Sequence, residues 1–348
     1  KIIMMMKKLF SVFCLLAVIN VSFAQPDAAA KYAGHITADN LRKHLDIIAS
    51  AEMEGRETGT EGQRKAAAYI EAQFKSIGLQ QVEALKSYQQ FYPLYQDSLI
   101  SAELKVAGKD AVFGTDYIAP LNGNESGKFK SKQIIVAGYG IDDEKYSDYT
   151  GLDVKGKTVI IFFVEPKKDG KYFLSGSNRF SEWTFPGISK KLAAAAAKGA
   201  AGVLIINPRQ ESFNERAVES GKKTGVYYPR ENANVKSLPY VLLSHAFAKN
   251  IIGENFDKLL SLVKTNSPID TQLAIDKKIK IEFDLDKNRS VINASNVVGI
   301  IEGTDKKDEY VFLTAHYDHL GMHNGKIYYG ADDDGSGTCA VITMAEAF

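Results

Sequence analysis

Two short strings carry the chemistry of this chain. The first reads Thr314-Ala315-His316-Tyr317-Asp318-His319-Leu320-Gly321, and twelve residues after His316 begins Tyr328-Tyr329-Gly330-Ala331-Asp332-Asp333-Asp334-Gly335-Ser336-Gly337. An imidazole at the C-terminal end of a strand points toward the crevice in which α/β sheets bind ligands. Three successive carboxylates repel one another and gain from a cation among them. Imidazole nitrogen with carboxylate oxygen is a zinc donor set, and the version with an open position is the catalytic one. The alternative is plainer. An aspartate run also suits a solvated turn or a helix N-terminus, where acids complement the dipole. Calcium is disfavoured, because the D-x-D-x-D-G spacing is missing. His319 and His323 read as exposed loop residues rather than ligands. On spacing alone, the metal and helix-terminus readings stand level.

Holding these residues requires strands and helices near them. Residues 296–301 and 310–314 are apolar and flank the acidic turn Gly303-Thr304-Asp305, which predicts a β-hairpin. Leu41, Leu45 and Ile48 share one face of a helix over about 37–50 with Thr37 as its cap. Ala67, Ile70, Phe74 and Ile77 mark a second helix, opened by Thr60 and closed by Gly78. Between them lies the polar loop Glu54-Gly55-Arg56-Glu57-Thr58-Gly59. A last helix follows Asp334, with Val341, Met344, Ala345 and Phe348 as its apolar face and Glu346 at its surface.

The middle of the chain reads as a separate α/β unit. Stretches such as 101–106 and 133–139 alternate like strands. Residues 159–164 are continuously apolar, so that strand is expected to be buried on both faces. A helix over 189–198 with five consecutive alanines leads through Gly199 into the apolar strand 203–206. Residues 207–237 read as loop, 238–243 as a strand and 246–263 as mostly helical. The charged stretch 276–290, which includes Lys287 and Arg289, reads as a solvated connector or edge strands.

Composition narrows the function classes. The 348 residues are 45% hydrophobic and 24% charged, with 43 Lys+Arg against 42 Asp+Glu. A net charge of +1 lacks the basic surplus that a nucleic-acid binder uses to neutralise phosphates. Lys7 and Lys8, the 13-residue apolar run 9–21 and the small-residue end Ser22-Phe23-Ala24 form a signal peptide, expected to be cleaved after Ala24. The run is too short to span a bilayer, which takes about 20 apolar residues. Cleavage takes the net charge from +1 to −2 and leaves Cys339 as the remaining thiol, so no internal disulfide is expected. These features place the mature protein in the periplasm or outside a bacterial cell, without stable insertion in the membrane.

The strings His316-Tyr317-Asp318-His319-Leu320-Gly321 and Gly330-Ala331-Asp332-Asp333-Asp334-Gly335-Ser336-Gly337-Thr338 resemble those of the M28 family of co-catalytic zinc peptidases, which includes secreted bacterial aminopeptidases. The segment 54–62 with the helix after it is similar to the family's opening segment. Residues 153–160 and 198–205 are similar to the protease-associated (PA) domain inserted in many members. The resemblance covers most of residues 35–348. It implies an α/β aminopeptidase-like mixed-sheet sandwich with an inserted β-rich PA-like domain. The expected organisation is a signal peptide over 1–24, catalytic-domain segments over 25–92 and 286–348, and the insert over 93–285.

The same resemblance assigns roles. His316 would bind zinc, Asp318 would orient that histidine from behind, and Asp333 would bridge two zinc ions. Asp334 follows the bridging acid through a peptide bond that is cis in some members. Asp332 occupies a position where the family also uses Asn and is not counted as a ligand. The implied function is an exported aminopeptidase that removes N-terminal residues from peptides with a water activated by two zincs. A glutamate-type carboxypeptidase of the same fold, or a receptor-like binding protein without metals, are the alternatives. The other three ligands and the general-base Glu of the family lie later in the chain. The expectation is therefore a chain truncated before them, with an incomplete catalytic domain, that does not hydrolyse peptides by itself.

Overall fold

The computed structural model describes residues 26–229, 238–269 and 276–348, and the leader expected over 1–24 lies outside these residues. The chain divides into two units. One comprises the residues up to Pro93 together with Asn293–Phe348, and the other Leu94–Ile292. The architecture is mixed α/β with a separate β-rich insertion.

The second unit is built on a six-stranded sheet in the order Asp276–Lys277, Ile134–Val136, Thr158–Phe162, Gly202–Ile206, Tyr240–Leu243, Tyr117–Ile118. Its four inner strands are parallel and its two outer ones antiparallel. The continuous apolar run at Thr158–Phe162 is buried at every residue, because its period-2 alternation feeds two cores. Ile160 and Phe162 join Leu204, Ile206, Val241 and Leu243, with Ala248 and Ile251 of the helix His245–Ile252 and Leu259 and Val263 of the helix Phe256–Lys264. Val159 and Ile161 face the other way, onto Leu192 and Ala195 of the alanine-rich helix Ser189–Ala197. Alanine leaves that helix thin enough to lie close on the sheet.

A second sheet orders Lys109–Asp110, Gln89–Val106, Ile281–Val297 and Gly127–Ser131. Of the two readings of the charged stretch 276–290, the connector fails and strands form: Asp276–Lys277 edges the six-stranded sheet, while Ile281–Val297 lies inside this one. Ile281, Phe283 and Leu285 alternate inward from one of its strands and are buried. Lys287 is no solvated residue: its side chain is 3% exposed and reaches Asp97 at 2.7 Å. The expected loop 207–237 also contains a helix, Glu215–Lys222, whose N-cap Asn214 accepts from the Ala217 backbone N–H.

In the first unit, the helices Ala38–Ile48, Glu61–Ile77 and Ser336–Ala347 enclose a core of Ile48, Met53, Ala66, Ile70, Phe74, Cys339 and Ile342. Thr37 caps the first as expected, and Gly78 closes the second in the left-handed region with φ 88°. The Thr60 hydroxyl makes no cap; it donates to the Glu57 carbonyl. The last helix buries Thr338, Cys339, Ile342, Thr343 and Ala347 rather than the expected face. Glu346 accordingly lies half-buried, 3.5 Å from Nε2 of the buried His44.

The hairpin expected over 296–301 and 310–314 does not form. The strand Ile281–Val297 runs through its first residues, while 310–314 carry no strand, with Val311 91% and Phe312 81% exposed. Among the described residues no other strand pairs with 310–314, and an isolated two-stranded hairpin is marginal in water.

Candidate metal centre

The two strings meet at His316. His316 Nε2 lies 3.1 Å from Asp333 Oδ1, and His316 Nδ1 lies 3.3 Å from Asp318 Oδ1 on the opposite edge of the ring. The Asp318 backbone carbonyl is also within 3.1 Å of Nδ1. Asp318 is itself held, because the Thr58 hydroxyl donates to its Oδ2. With a proton on Nδ1 facing Asp318, the Nε2 lone pair faces Asp333. Burial disfavours the His316 cation, but the Asp318 carbonyl and the carboxylates of Asp318, Asp334 and Asp333 outweigh it and raise the imidazole above its ordinary value.

The three acids divide their labour. Asp334 takes the helix-terminus role: its Oδ1 accepts from the Gly337 N–H and its Oδ2 from the His316 N–H. Asp333 is left free of that task, 74% exposed and turned to His316. The Asp332 carboxylate is exposed, and only its backbone carbonyl is engaged, by Ser336. The peptide bond between Asp333 and Asp334 is cis. The helix-terminus reading of the aspartate run therefore describes Asp334, while the neighbouring Asp333 is turned to His316.

His319 departs from the exposed-loop expectation. Its side chain is largely buried, with Nδ1 3.8 Å from Asp333 Oδ2. Gly330 makes that approach feasible, since a Cβ there would sit 2.4 Å from the His319 ring. His323 is exposed on the short hairpin Met322–His323 and Lys326–Ile327, its ring edge-on to Tyr328.

Sequence reasoning singles out the loop 54–59 but not its central side chain. Glu54, Gly55 and Arg56 all adopt positive φ at the end of the turn Ala51–Arg56. This reversal sends Arg56 inward, where it is 0% exposed. Its guanidinium donates to the carbonyls of Tyr317, Ile48, Tyr329 and Gly330 at 2.5–2.9 Å. The backbone is stitched as well: His319 N–H donates to the Arg56 carbonyl and Gly321 N–H to that of Gly55. A lone arginine between glycines gives no sequence signal for burial, because its partners are carbonyls that any residue carries.

A zinc ion takes four donors, and two of them at about 2.0–2.1 Å in a tetrahedron are roughly 3.3 Å apart. The His316 Nε2 to Asp333 Oδ1 separation of 3.1 Å fits that edge. Among the described residues, no three His, Cys, Asp or Glu side chains gather closely enough to hold a metal. The donor set thus fits one edge of a zinc site and does not complete it.

An α/β unit with an acid–imidazole edge and a separate β-rich insertion is the class of protein defined by this fold. Residues 296–348 match Peptidase family M28, and residues 120–251 match the PA domain. No curated protein matches the chain significantly. Among solved structures, it is similar to an aminopeptidase from Aneurinibacillus sp. strain AM-1, with 17% identity, a TM-score of 0.45, and 90% of this chain and 59% of that one covered. A zinc aminopeptidase from Bacillus subtilis is 20% identical, with a TM-score of 0.35 and coverage of 89% and 57%. A peptidase M28 precursor from Shewanella amazonensis SB2B is 16% identical, with a TM-score of 0.34 and coverage of 92% and 64%. The chain spans about three-fifths of the length of these structures.

Proposed function

We propose that the whole protein is an exported zinc-dependent exopeptidase, an aminopeptidase acting on peptides, and that this chain contributes His316 and Asp333 as metal ligands and Asp318 as the residue that orients His316. The observation that supports this most is the imidazole with a carboxylate on each edge, Asp318 at Nδ1 and Asp333 at Nε2. When bound, zinc supplies Lewis acidity to a water and to the scissile carbonyl. The chain's own residues do the rest. Asp318, fixed by Thr58, keeps the Nδ1 proton in place and leaves Nε2 as the donor. Asp333 presents a carboxylate without neutralising helix contacts. The remaining ligands and the proton-transferring Glu are proposed to come from sequence following this chain.

The proposed organisation is a cleaved leader over 1–24, catalytic-domain segments over 25–92 and 286–348, and a PA-like insert over 93–285. Among the described residues no helix is long and apolar enough to cross a membrane. The test is metal content and turnover of an aminoacyl-4-nitroanilide by the full-length protein. Zinc-dependent turnover that is lost on chelation, restored by zinc, and absent in His316→Ala and Asp333→Asn supports the proposal. Turnover that survives either substitution refutes it.

A further inference from the structure

We propose that the loop Gly55–Thr58 is the positioning device of this metal edge, with Arg56 setting the backbone on both sides of it and Thr58 fixing Asp318. The inference rests on the zinc reading above and extends it to residues that touch no metal. Tyr317, whose carbonyl accepts from Arg56 Nε at 2.6 Å, lies between His316 and Asp318. Tyr329 and Gly330, whose carbonyls accept from Nη1 and Nη2 at 2.8 and 2.9 Å, immediately precede Ala331-Asp332-Asp333. A fourth carbonyl, that of Ile48, ties the same fork to the end of the helix Ala38–Ile48. One rigid, planar cation therefore joins the two strings that must place an imidazole and a carboxylate within about one ligand edge of each other.

The choice of residue argues for geometry over mere stability. Burying a guanidinium carries a large desolvation cost, and an apolar side chain of similar volume would fill the space without it. Only a fork of fixed donors can hold carbonyls from three segments in one plane, and the point charge of a lysine cannot. The backbone strain points the same way. Arg56 adopts φ 55° beside Gly55 at φ 70°, and a Cβ at Gly55 would lie 2.4 Å from the Gly321 carbonyl oxygen. The loop is pressed against both strings, at Gly321 of the first and Tyr328 of the second, with no room for a side chain between.

The experiment uses the full-length protein and competition titration of zinc against a chelator, with the melting temperature of the metal-free protein measured alongside. Arg56→Lys is expected to weaken zinc binding roughly 10- to 100-fold, the range found when outer-shell partners of metal ligands are lost. Arg56→Ala is expected to weaken it further and to regain part of the affinity with millimolar methylguanidinium but not methylammonium. A structural role alone would lower the melting temperature and leave the zinc affinity of the folded fraction unchanged. Folded Arg56 variants with wild-type zinc affinity would overturn the inference. If both fail to fold, Thr58→Val decides: it removes one hydroxyl from Asp318, and wild-type affinity there would overturn the inference as well. A wild-type protein that binds no zinc, or binds it equally after His316→Ala, instead removes the zinc reading itself.

Discussion

Replacing Asp97 by Asn tests the charge logic of the insertion. The Asp97 carboxylate is 1% exposed and accepts from Lys287 Nζ at 2.7 Å, Arg289 Nε at 2.8 Å and the Tyr227 hydroxyl at 2.9 Å. Burial by itself raises this carboxyl, but the hydrogen bonds from Arg289, Lys287 and Tyr227 and the charge of Lys287 outweigh it and hold it below the ordinary aspartate range. The amide keeps the shape and removes the charge, leaving Lys287 buried without its close anion. Breaking a buried pair in this way costs about 3–5 kcal/mol. Arg289 is a third exposed and keeps Glu125 at 2.9 Å, so the expected loss lies near the lower end, about 3 kcal/mol. Trp183, the single tryptophan, is buried in the same unit and reports its unfolding by fluorescence. With a urea slope of about 2 kcal/mol per molar, the midpoint at pH 7 shifts down by about 1.5 M. The sign of the pH dependence follows from the lowered folded-state value. Asp97 stabilises above the unfolded aspartate value of about 4, and that contribution fades as the pH falls through the folded value. The gap between wild type and Asp97→Asn therefore closes in acid. A midpoint shift under about 0.5 M at pH 7, or the same shift at pH 7 and pH 3, would refute this reasoning.

Four further outcomes are expected. Asp318→Asn in the full-length protein lowers zinc affinity or turnover roughly 10- to 100-fold, read by chelator competition and kinetics, and an unchanged value removes its orienting role. Cys339 is buried and its thiol is pushed up to about 11 by burial, so iodoacetamide at pH 8 labels the native protein far more slowly than the urea-unfolded one, as read by mass spectrometry. Gly55→Ala drives a methyl against the Gly321 and Tyr328 carbonyl oxygens at a positive φ, and costs a few kcal/mol in a melt; a change under about 0.5 kcal/mol contradicts the close approach. Ile161→Ala empties a fully buried position of the central sheet and destabilises by about 2–5 kcal/mol, measured by the Trp183 urea transition.

The central strands of the insertion are legible because side-chain type alone encodes them. Val159, Ile160, Ile161 and Phe162 can be stable only where both faces are covered, and both are. The helices of the first unit are legible for the same kind of reason, since a period near 3.6 needs a single core to face. Lys287 is not legible. It sits in a charged stretch that reads as solvated, and only the pairing of distant strands brings Asp97 to it. The apolar stretch 310–314 misleads in the opposite direction: its residue types favour a strand, yet a strand needs hydrogen-bonding neighbours that its own sequence does not specify.

The candidate site divides along the same line. His316, Asp318 and Asp333 are singled out in the sequence because imidazole beside clustered carboxylates is a possible metal donor set and because their strings resemble those of a zinc peptidase family. Arg56 is missed because the atoms it binds are backbone carbonyls, common to every residue. The aspartate run shows how far residue type goes before geometry must decide. Metal ligand and helix terminus compete as explanations for one string, yet Asp334 faces the Gly337 and His316 N–H groups while Asp333 faces the imidazole. Neighbouring side chains leave the backbone in different directions, so a run of like residues need not have one function. What fixes each function is the partner supplied by a distant segment, and here the buried arginine of the loop 54–59 ties the segments together.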